Sequence, residues 1–403
     1  MSKPAEVLKW ATDVNFPAGA DAWSSQPNKV EPSAAKVATG RIPEEPPPAE
    51  ETNWWRSMVA AFIAHLVSLR LLNLSDYGQD VSAVAAAGAT ACACYDGEKF
   101  VLGTSGGETV ESEPGGWVWE DTGGGGASGP NVGVGNIVTS IASDLALTMV
   151  CCCDTGVGDE VYHTVGGVWT PCTITGAPGL AWIKVECYGT TWLISDDAAT
   201  PSVYRSTNAA TFSSVTVTGL TTQYPMICAS KDPDNDCWVI LTATQCARSS
   251  DGGLTWTTAA HGLNISGGSD GTVMGANVIT YDRATSRFIV ILGGASAGDV
   301  AYSEDNGATW TTVSSCVGWT GTGHVAIVAS GDGEILAHLG NSGYWASQDG
   351  GETWLRVYVS TEPSWIAGAW PSALAFGGGK FLIHASQPPS TTGALLSLRA
   401  EVA

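Results

Sequence analysis

Seven stretches of this chain repeat one pattern: a short apolar strand, a tight turn and a second apolar strand. They read ACACYDGEKFVLG, IVTSIASDLALTMV, KVECYGTTWLIS, CASKDPDNDCWVIL, VITYDRATSRFIVIL, AIVASGDGEILAHL and ALAFGGGKFLIHA. Their turns begin at Asp96, Ser143, Tyr188, Asp232, Asp282, Gly331 and Gly377, at intervals of 47, 45, 44, 50, 49 and 46 residues. A period in the mid-forties built of short β-strands is the size of a four-stranded propeller blade. The expectation is an all-β fold, a seven-bladed β-propeller over residues 85–403. Closure of the ring is expected to use the chain ends of that region, either residues 80–88 or residues 393–403, because an unpaired edge invites aggregation.

Composition agrees with many short strands and sets limits on partners. Of 403 residues, 44% are hydrophobic and 14% charged, with 50 Gly and 17 Trp, which supports a large core and excludes wholesale disorder. Asp and Glu total 39 against 17 Lys and Arg, a net charge of −22. Such a surface disfavours nucleic acid and anionic membrane. The most apolar run, Ser57 to Leu69, spans 13 residues where a membrane span needs about 20, and the N-terminus lacks the apolar region of a signal peptide. Neither export nor membrane insertion is expected. The 11 cysteines include three in a row, Cys151 to Cys153, and no Cys-x-x-Cys pair, so they read as buried thiols on strands rather than disulfides or metal ligands.

Composition shifts near residue 84. Up to that point the net charge is 7 − 10 = −3, and beyond it 10 − 29 = −19. Residues 1–52 read as an extended arm, rich in proline up to Pro48. Residues 53–76 read as an α-helix that Asn53 could cap, and 77–84 as a linker. Along the helix Trp55, Val59, Phe62, Leu66 and Leu69 alternate at spacings of 4 and 3, a coiled-coil seam of about two heptads. Asn73 stands at the next seam position, either as the fraying end or as a polar residue setting register. Met58, Ile63 and Val67 widen the apolar face beyond what one partner helix would cover, which favours a bundle of three chains or a socket in another protein. A single helix packed on its own domain is the alternative.

Three of the units carry a sharper signature after the first hairpin: SSDGGLTW at 249–256, SEDNGATW at 303–310 and SQDGGETW at 347–354. The shared pattern is S-x-D-x-G-x-T-W. It comprises Ser249, Asp251, Gly253, Thr255 and Trp256, then Ser303, Asp305, Gly307, Thr309 and Trp310, then Ser347, Asp349, Gly351, Thr353 and Trp354. Degenerate copies stand in phase at 206–212 and 163–170. The pattern resembles the Asp-box, or BNR, repeat of sialidases, sortilin-type receptors and other β-propellers. Its physics is that of a hairpin: Asp bonds amides of its own turn, Gly supplies positive φ and Trp packs back between strands. The resemblance implies a structural turn at the blade edge, with no catalytic role for the three aspartates.

No catalytic residue, metal site or cofactor site is assigned. Sialidases bind their substrate through three arginines, yet Arg205, Arg248, Arg283, Arg287, Arg356 and Arg399 present no convincing central triad. An R-I-P motif at Arg41 to Pro43 lies far upstream of the first blade. The run Asp232, Asp234, Asp236 faintly resembles a calcium loop, but Cys237 and Ala243 occupy the positions where that loop needs Gly and Glu. The glycine-rich stretch 122–135 lacks a P-loop lysine. Paired carboxylates for a glycosidase cannot be picked from sequence.

The appendage supplies the second resemblance. Trp10, Ala11, Thr12, Phe16, Gly19, Trp23, Lys29, Val30, Pro32, Gly40, Pro43, Asn53 and Trp54 form a pattern of anchors that looks like the N-terminal segments of tailed-bacteriophage virion proteins. That resemblance implies a structural virion component, tail-associated or fibre-like, assembled in the bacterial cytoplasm. Residues 1–76 would then bind other tail proteins through Trp10, Trp23, Trp54, Trp55, Val59, Phe62, Leu66 and Leu69. The chain would form a homotrimer, and the propeller would meet a host-surface glycan or protein. A glycan-degrading virion enzyme and a cytoplasmic propeller scaffold unrelated to phage are the alternatives.

Overall fold

The computed structural model describes residues 74–75 and, between 90 and 399, the strands and most of their tight turns. Residues 1–73, 76–89, 121–136, 266–277, 314–324, 358–369, 387–393 and 400–403, with shorter stretches between strands, lie outside the described residues. The arm, the linker and nearly all of the expected helix fall there, including Trp10, Trp23, Trp54, Trp55, Val59, Phe62, Leu66 and Leu69. The chain divides between Arg70 and Leu71. Leu74–Ser75, expected to belong to the end of the helix over 53–76, instead forms a short strand, β1. No helix is present among the described residues.

The fold is an all-β β-propeller. The first blade contains β2 (Thr90–Tyr95), β3 (Phe100–Thr104), β4 (Thr109–Ser112) and β5 (Trp119–Glu120). The second contains β6 (Ile137–Ser143), β7 (Met149–Asp154), β8 (Glu160–Val165) and β9 (Val168–Pro171). A fifth strand, β10 (Thr173–Thr175), joins the third blade of β11 (Trp182–Tyr188), β12 (Thr191–Asp196), β13 (Val203–Ser206) and β14 (Thr211–Val215). The fourth is β15 (Met226–Ala229), β16 (Trp238–Leu241), β17 (Gln245–Ser249) and β18 (Thr257–Ala260). The fifth is β19 (Ile279–Asp282), β20 (Arg287–Ile291), β21 (Val300–Ser303) and β22 (Thr311–Val313), and the sixth β23 (Val325–Ala329), β24 (Ile335–Leu339), β25 (Tyr344–Ser347) and β26 (Leu355–Val357).

These six blades are built from consecutive strands, one fewer than the seven read from the spacing. The remaining sheet is composite: β27 (Trp370–Gly377), β28 (Lys380–Ser386) and β29 (Ala394–Arg399) are joined by β1 from the far end of the domain. β1 pairs antiparallel with β29, Leu74 against Leu398 and Ser75 against Ser397. The ends of the chain segment thus close the ring, with the C-terminal strand as expected and with an N-terminal partner upstream of 80–88. Going round, β27 lies against β2, β2 against β6, β6 against β11, β11 against β15, β15 against β19, β19 against β23, and β23 against β27.

Inner strands are apolar on both faces because each face meets a neighbouring blade. In β20, Phe288 and Val290 join a cluster with Val239, Leu241 and Cys246 of the fourth blade. Ile289 and Ile291 of the same strand join Ile327, Ile335 and Ala337 of the sixth. The period of two sends successive residues into different cores. The cysteine run obeys the same rule: Cys151 and Cys153 pack with Cys92, Cys94 and Val101 of the first blade, and Cys152 with Val185, Cys187 and Trp192 of the third. Outer strands are exposed and short, as at β18 and β22.

Inner edges are stitched by side chains. Ser140 Oγ in β6 accepts a hydrogen bond from the Val185 amide of β11 at 3.1 Å, and Thr280 Oγ1 in β19 accepts one from the Ala329 amide of β23 at 3.1 Å. At the outer edge β10 runs parallel to β14, with Thr173 opposite Thr211, and so continues the second blade onto the third. An innermost strand has no further strand to pair with on its channel side, so these short hydroxyls take up part of its hydrogen-bonding capacity.

Candidate functional site

The most regular chemical groups are the three S-x-D-x-G-x-T-W turns, which link the third and fourth strands of the fourth, fifth and sixth blades. In the first, Ser249 Oγ donates to Asp251 Oδ1 at 2.7 Å and accepts from the Gly253 amide at 2.9 Å. Asp251 Oδ1 also accepts from the Leu254 and Thr255 amides at 3.0 and 2.9 Å, and its Oδ2 takes the Thr255 hydroxyl at 2.6 Å. Trp256 Nε1 closes the turn on Gly253 O at 3.1 Å. Asp305 and Asp349 repeat the arrangement, with Thr309 Oγ1 at 2.6 Å and Thr353 Oγ1 at 2.5 Å.

Partial burial works to raise the pKa of Asp251, but hydrogen bonds from Thr255, Ser249 and Leu254 outweigh it and hold the value at about 2. Asp305 and Asp349 are lowered for the same reasons. At neutral pH all three are ionised acceptors engaged by their own turns. Such a group has no proton to donate and is poorly placed to abstract one.

The same turns press on the blade before them. A Cβ at Gly253 would stand 3.0 Å from Leu193 Cδ2 of β12, and one at Gly351 3.2 Å from Ile289 Cγ2 of β20. Both glycines also have positive φ, 80° and 88°. Arginines complete the joints. Arg205 Nε donates to Gly252 O at 2.6 Å. Arg287 bonds Glu304 Oε1 through Nε at 3.0 Å and Asp349 O through a terminal nitrogen at 3.1 Å, pairs with Glu352 at 2.7 Å, and lies over the Tyr302 ring at 4.3 Å. Arg283 reaches Asp332 of the next blade at 3.5 Å. These arginines serve separate joints and form no common cradle.

Two of the turns vary the pattern. Asn306 replaces the glycine at 252 and 350, and its amide pairs reciprocally with that of Asn235 at 2.8 and 3.0 Å. The degenerate copy at 206–212 keeps the turn, with Asn208 Oδ1 accepting from the Ala210 and Thr211 amides at 3.1 and 2.9 Å. Asp232 accepts from the Asp234 amide at 3.0 Å inside its own hairpin, which makes it a turn residue. Among the described residues, no group of three or more His, Cys, Asp or Glu side chains is placed to hold a metal ion.

Two further pairings bear on chemistry. Tyr162 donates to Glu160 on β8, but burial and the Glu160 carboxylate push the phenol well above its usual range. Cys172 Sγ is 3.5 Å from His163 Nδ1. Burial, however, raises the thiol to about 12 and lowers the imidazole, so the pair is neutral and lacks an activated thiolate.

No protein-family model matches the chain, and no curated protein matches it. Solved structures do. "YCF48 bound to D1 peptide" superposes with a TM-score of 0.54 at 14% identity, covering 77% of this chain and 93% of that one. "YCF48 from Cyanidioschyzon merolae" gives 0.54 at 15% identity, covering 78% and 97%. At such identities the likeness concerns architecture: the chain shares the β-propeller fold with these proteins.

Proposed function

We propose that the chain is a structural component of a tailed-bacteriophage virion, tail-associated or fibre-like, anchored through residues 1–76 and displaying the propeller to a host surface. The observation that carries this reading is the series of anchors from Trp10 to Trp54, set ahead of an amphipathic seam and a propeller. The composite sheet counts in this reading as a seventh blade, and the S-x-D-x-G-x-T-W turns as Asp boxes of the BNR type. A non-enzymatic role is supported by Asp251, Asp305 and Asp349 being engaged by their own turns, and by Arg205 and Arg287 being tied into blade joints.

Assembly belongs to the appendage. Five seam residues from Trp55 to Leu69 would each contribute about 1.5–3 kcal/mol on full burial, and three chains cover so wide a face better than two. The test is mass spectrometry and image reconstruction of purified virions, with light scattering of the full chain and of residues 71–403. Detection of the chain in the tail and a trimer lost on removal of residues 1–70 are the expected results. A chain absent from particles, or a turnover of sialosides abolished by replacing one propeller arginine, overturns the reading.

A further inference from the structure

The chain contains one Asn-Gly pair, Asn306 with Gly307, inside the second S-x-D-x-G-x-T-W turn. In such a pair the asparagine side chain is open to attack by the backbone, because a glycine nitrogen approaches with no Cβ in the way. The Gly307 amide gives up its proton, its nitrogen bonds to Asn306 Cγ, and the Cγ–Nδ2 bond breaks. Ammonia leaves with that proton and a cyclic imide remains. Water then opens the imide on either side, giving aspartate or isoaspartate, and no oxidant or cofactor is needed.

The fold holds both reacting groups. The Gly307 amide, in a buried position, donates to Ser303 Oγ at 2.8 Å. Asn306 Oδ1 accepts from Asn235 Nδ2 at 2.8 Å, while Asn306 Nδ2 donates to Asn235 Oδ1 at 3.0 Å. Gly307 has no slack either. A Cβ there would stand 3.0 Å from Cys246 Sγ and 3.1 Å from Val239 Cγ2, both in the fourth blade. Ring closure therefore requires that this turn of the fifth blade move away from the fourth. The backbone itself does not demand asparagine: φ is 57° at Asn306, and 68° and 69° at Gly252 and Gly350, which stand at the same place in the other two turns. Glycine enters that region at less cost.

We propose that Asn306 is a deamidation site, latent while the joint between the fourth and fifth blades is shut and modified when that joint opens. The change does not reverse. A carboxylate at 306 still accepts from Asn235 Nδ2 but offers no proton to Asn235 Oδ1, so two oxygens face each other where a hydrogen bond stood. Isoaspartate adds a methylene to the backbone of a turn in which the Ala308 amide donates to Asp305 O at 3.2 Å. The modified joint closes less well than the original, and the modification records past opening. This inference stands independently of the virion reading.

The test incubates the full chain in mildly alkaline buffer and follows each asparagine by peptide mapping and mass spectrometry. In urea, Asn306 should be the asparagine that converts fastest. In the fold it should convert at least roughly tenfold more slowly, because only the opened joint reacts. Asn235→Ala removes the partner amide but keeps the backbone bond of its own hairpin, from the residue 235 amide to Asp232 O at 3.0 Å, and should raise the native rate several-fold. Cys152→Ser, which weakens the core between the second and third blades, is the control for general destabilisation and should raise it less. Asn306→Asp should unfold at a lower urea concentration than the unmodified chain. Equal rates in the fold and in urea, no acceleration by Asn235→Ala, an equal acceleration by Cys152→Ser, or an undiminished urea midpoint for Asn306→Asp overturns the proposal.

Discussion

A carboxylate that accepts hydrogen bonds from two amides and two hydroxyls of its own hairpin, as Asp251 does, is a fastener. Asp305→Ala should cost about 1–2 kcal/mol, the net value of a few exposed hydrogen bonds, read as a lower urea midpoint. The pH dependence follows from the depressed pKa values. Asp251 lies at about 2 in the fold against about 3.9 unfolded. Its contribution is therefore complete above pH ~4 and lost as pH falls through the folded value. Urea midpoints taken from about pH 5 to about pH 2 should decline less steeply in a variant carrying Asp251→Asn, Asp305→Asn and Asp349→Asn. Gly253→Ala meets both positive φ and Leu193, and should cost about 1–2 kcal/mol from the backbone alone. The role of these residues was legible from their spacing. The amide pair between Asn306 and Asn235 was not, because the two lie 71 residues apart.

At the level of the strand, β7 places three consecutive thiols in the cores between blades, where Cys151, Cys152 and Cys153 are completely buried. Burial pushes the Cys151 and Cys152 thiols well up, Cys246 to about 12 and Cys237 to about 11. A thiol reagent at pH 8 should therefore leave these cysteines unmodified in the native protein and modify them once urea unfolds it. Cys152→Ser places a hydroxyl at a fully buried site and should destabilise by about 1–3 kcal/mol, seen as a lower melting temperature. That most of the described cysteines lie on strands was readable from the sequence, although Cys172 and Cys237 stand just outside them. Which core each one enters required knowing which blades adjoin.

For the whole molecule, stability depends on the sheet that joins the two ends of the domain. Deleting residues 394–403 removes β29, leaving β28 with an open edge and β1 without its partner. That truncated chain should accumulate as insoluble protein, because a bare inner-blade edge pairs with other chains. Residues 71–403 keep β1, whereas 85–403 lose it. The longer form should melt at the higher temperature, and equal melting would show that the Leu74–Ser75 pairing contributes little.

The sequence by itself determined the β class, the seven hairpins and their turn positions, and the three aspartate turns. Each of these depends on contacts between residues a few positions apart, whose periodicity and turn chemistry are written locally. Only the tertiary structure decided that Leu74–Ser75 closes a sheet with Leu398 and Ser397, that β10 crosses onto the third blade, and that Arg205 and Arg287 belong to blade joints. These features depend on pairings between residues tens to hundreds of positions apart, where local preference carries no information. The apolar seam ends at Leu69 with Asn73 at its next position, so nothing local separated Leu74–Ser75 from the end of the helix expected over 53–76. What set Leu74–Ser75 apart was the hydrogen-bonding edge of β29, which exists only once the ring has formed.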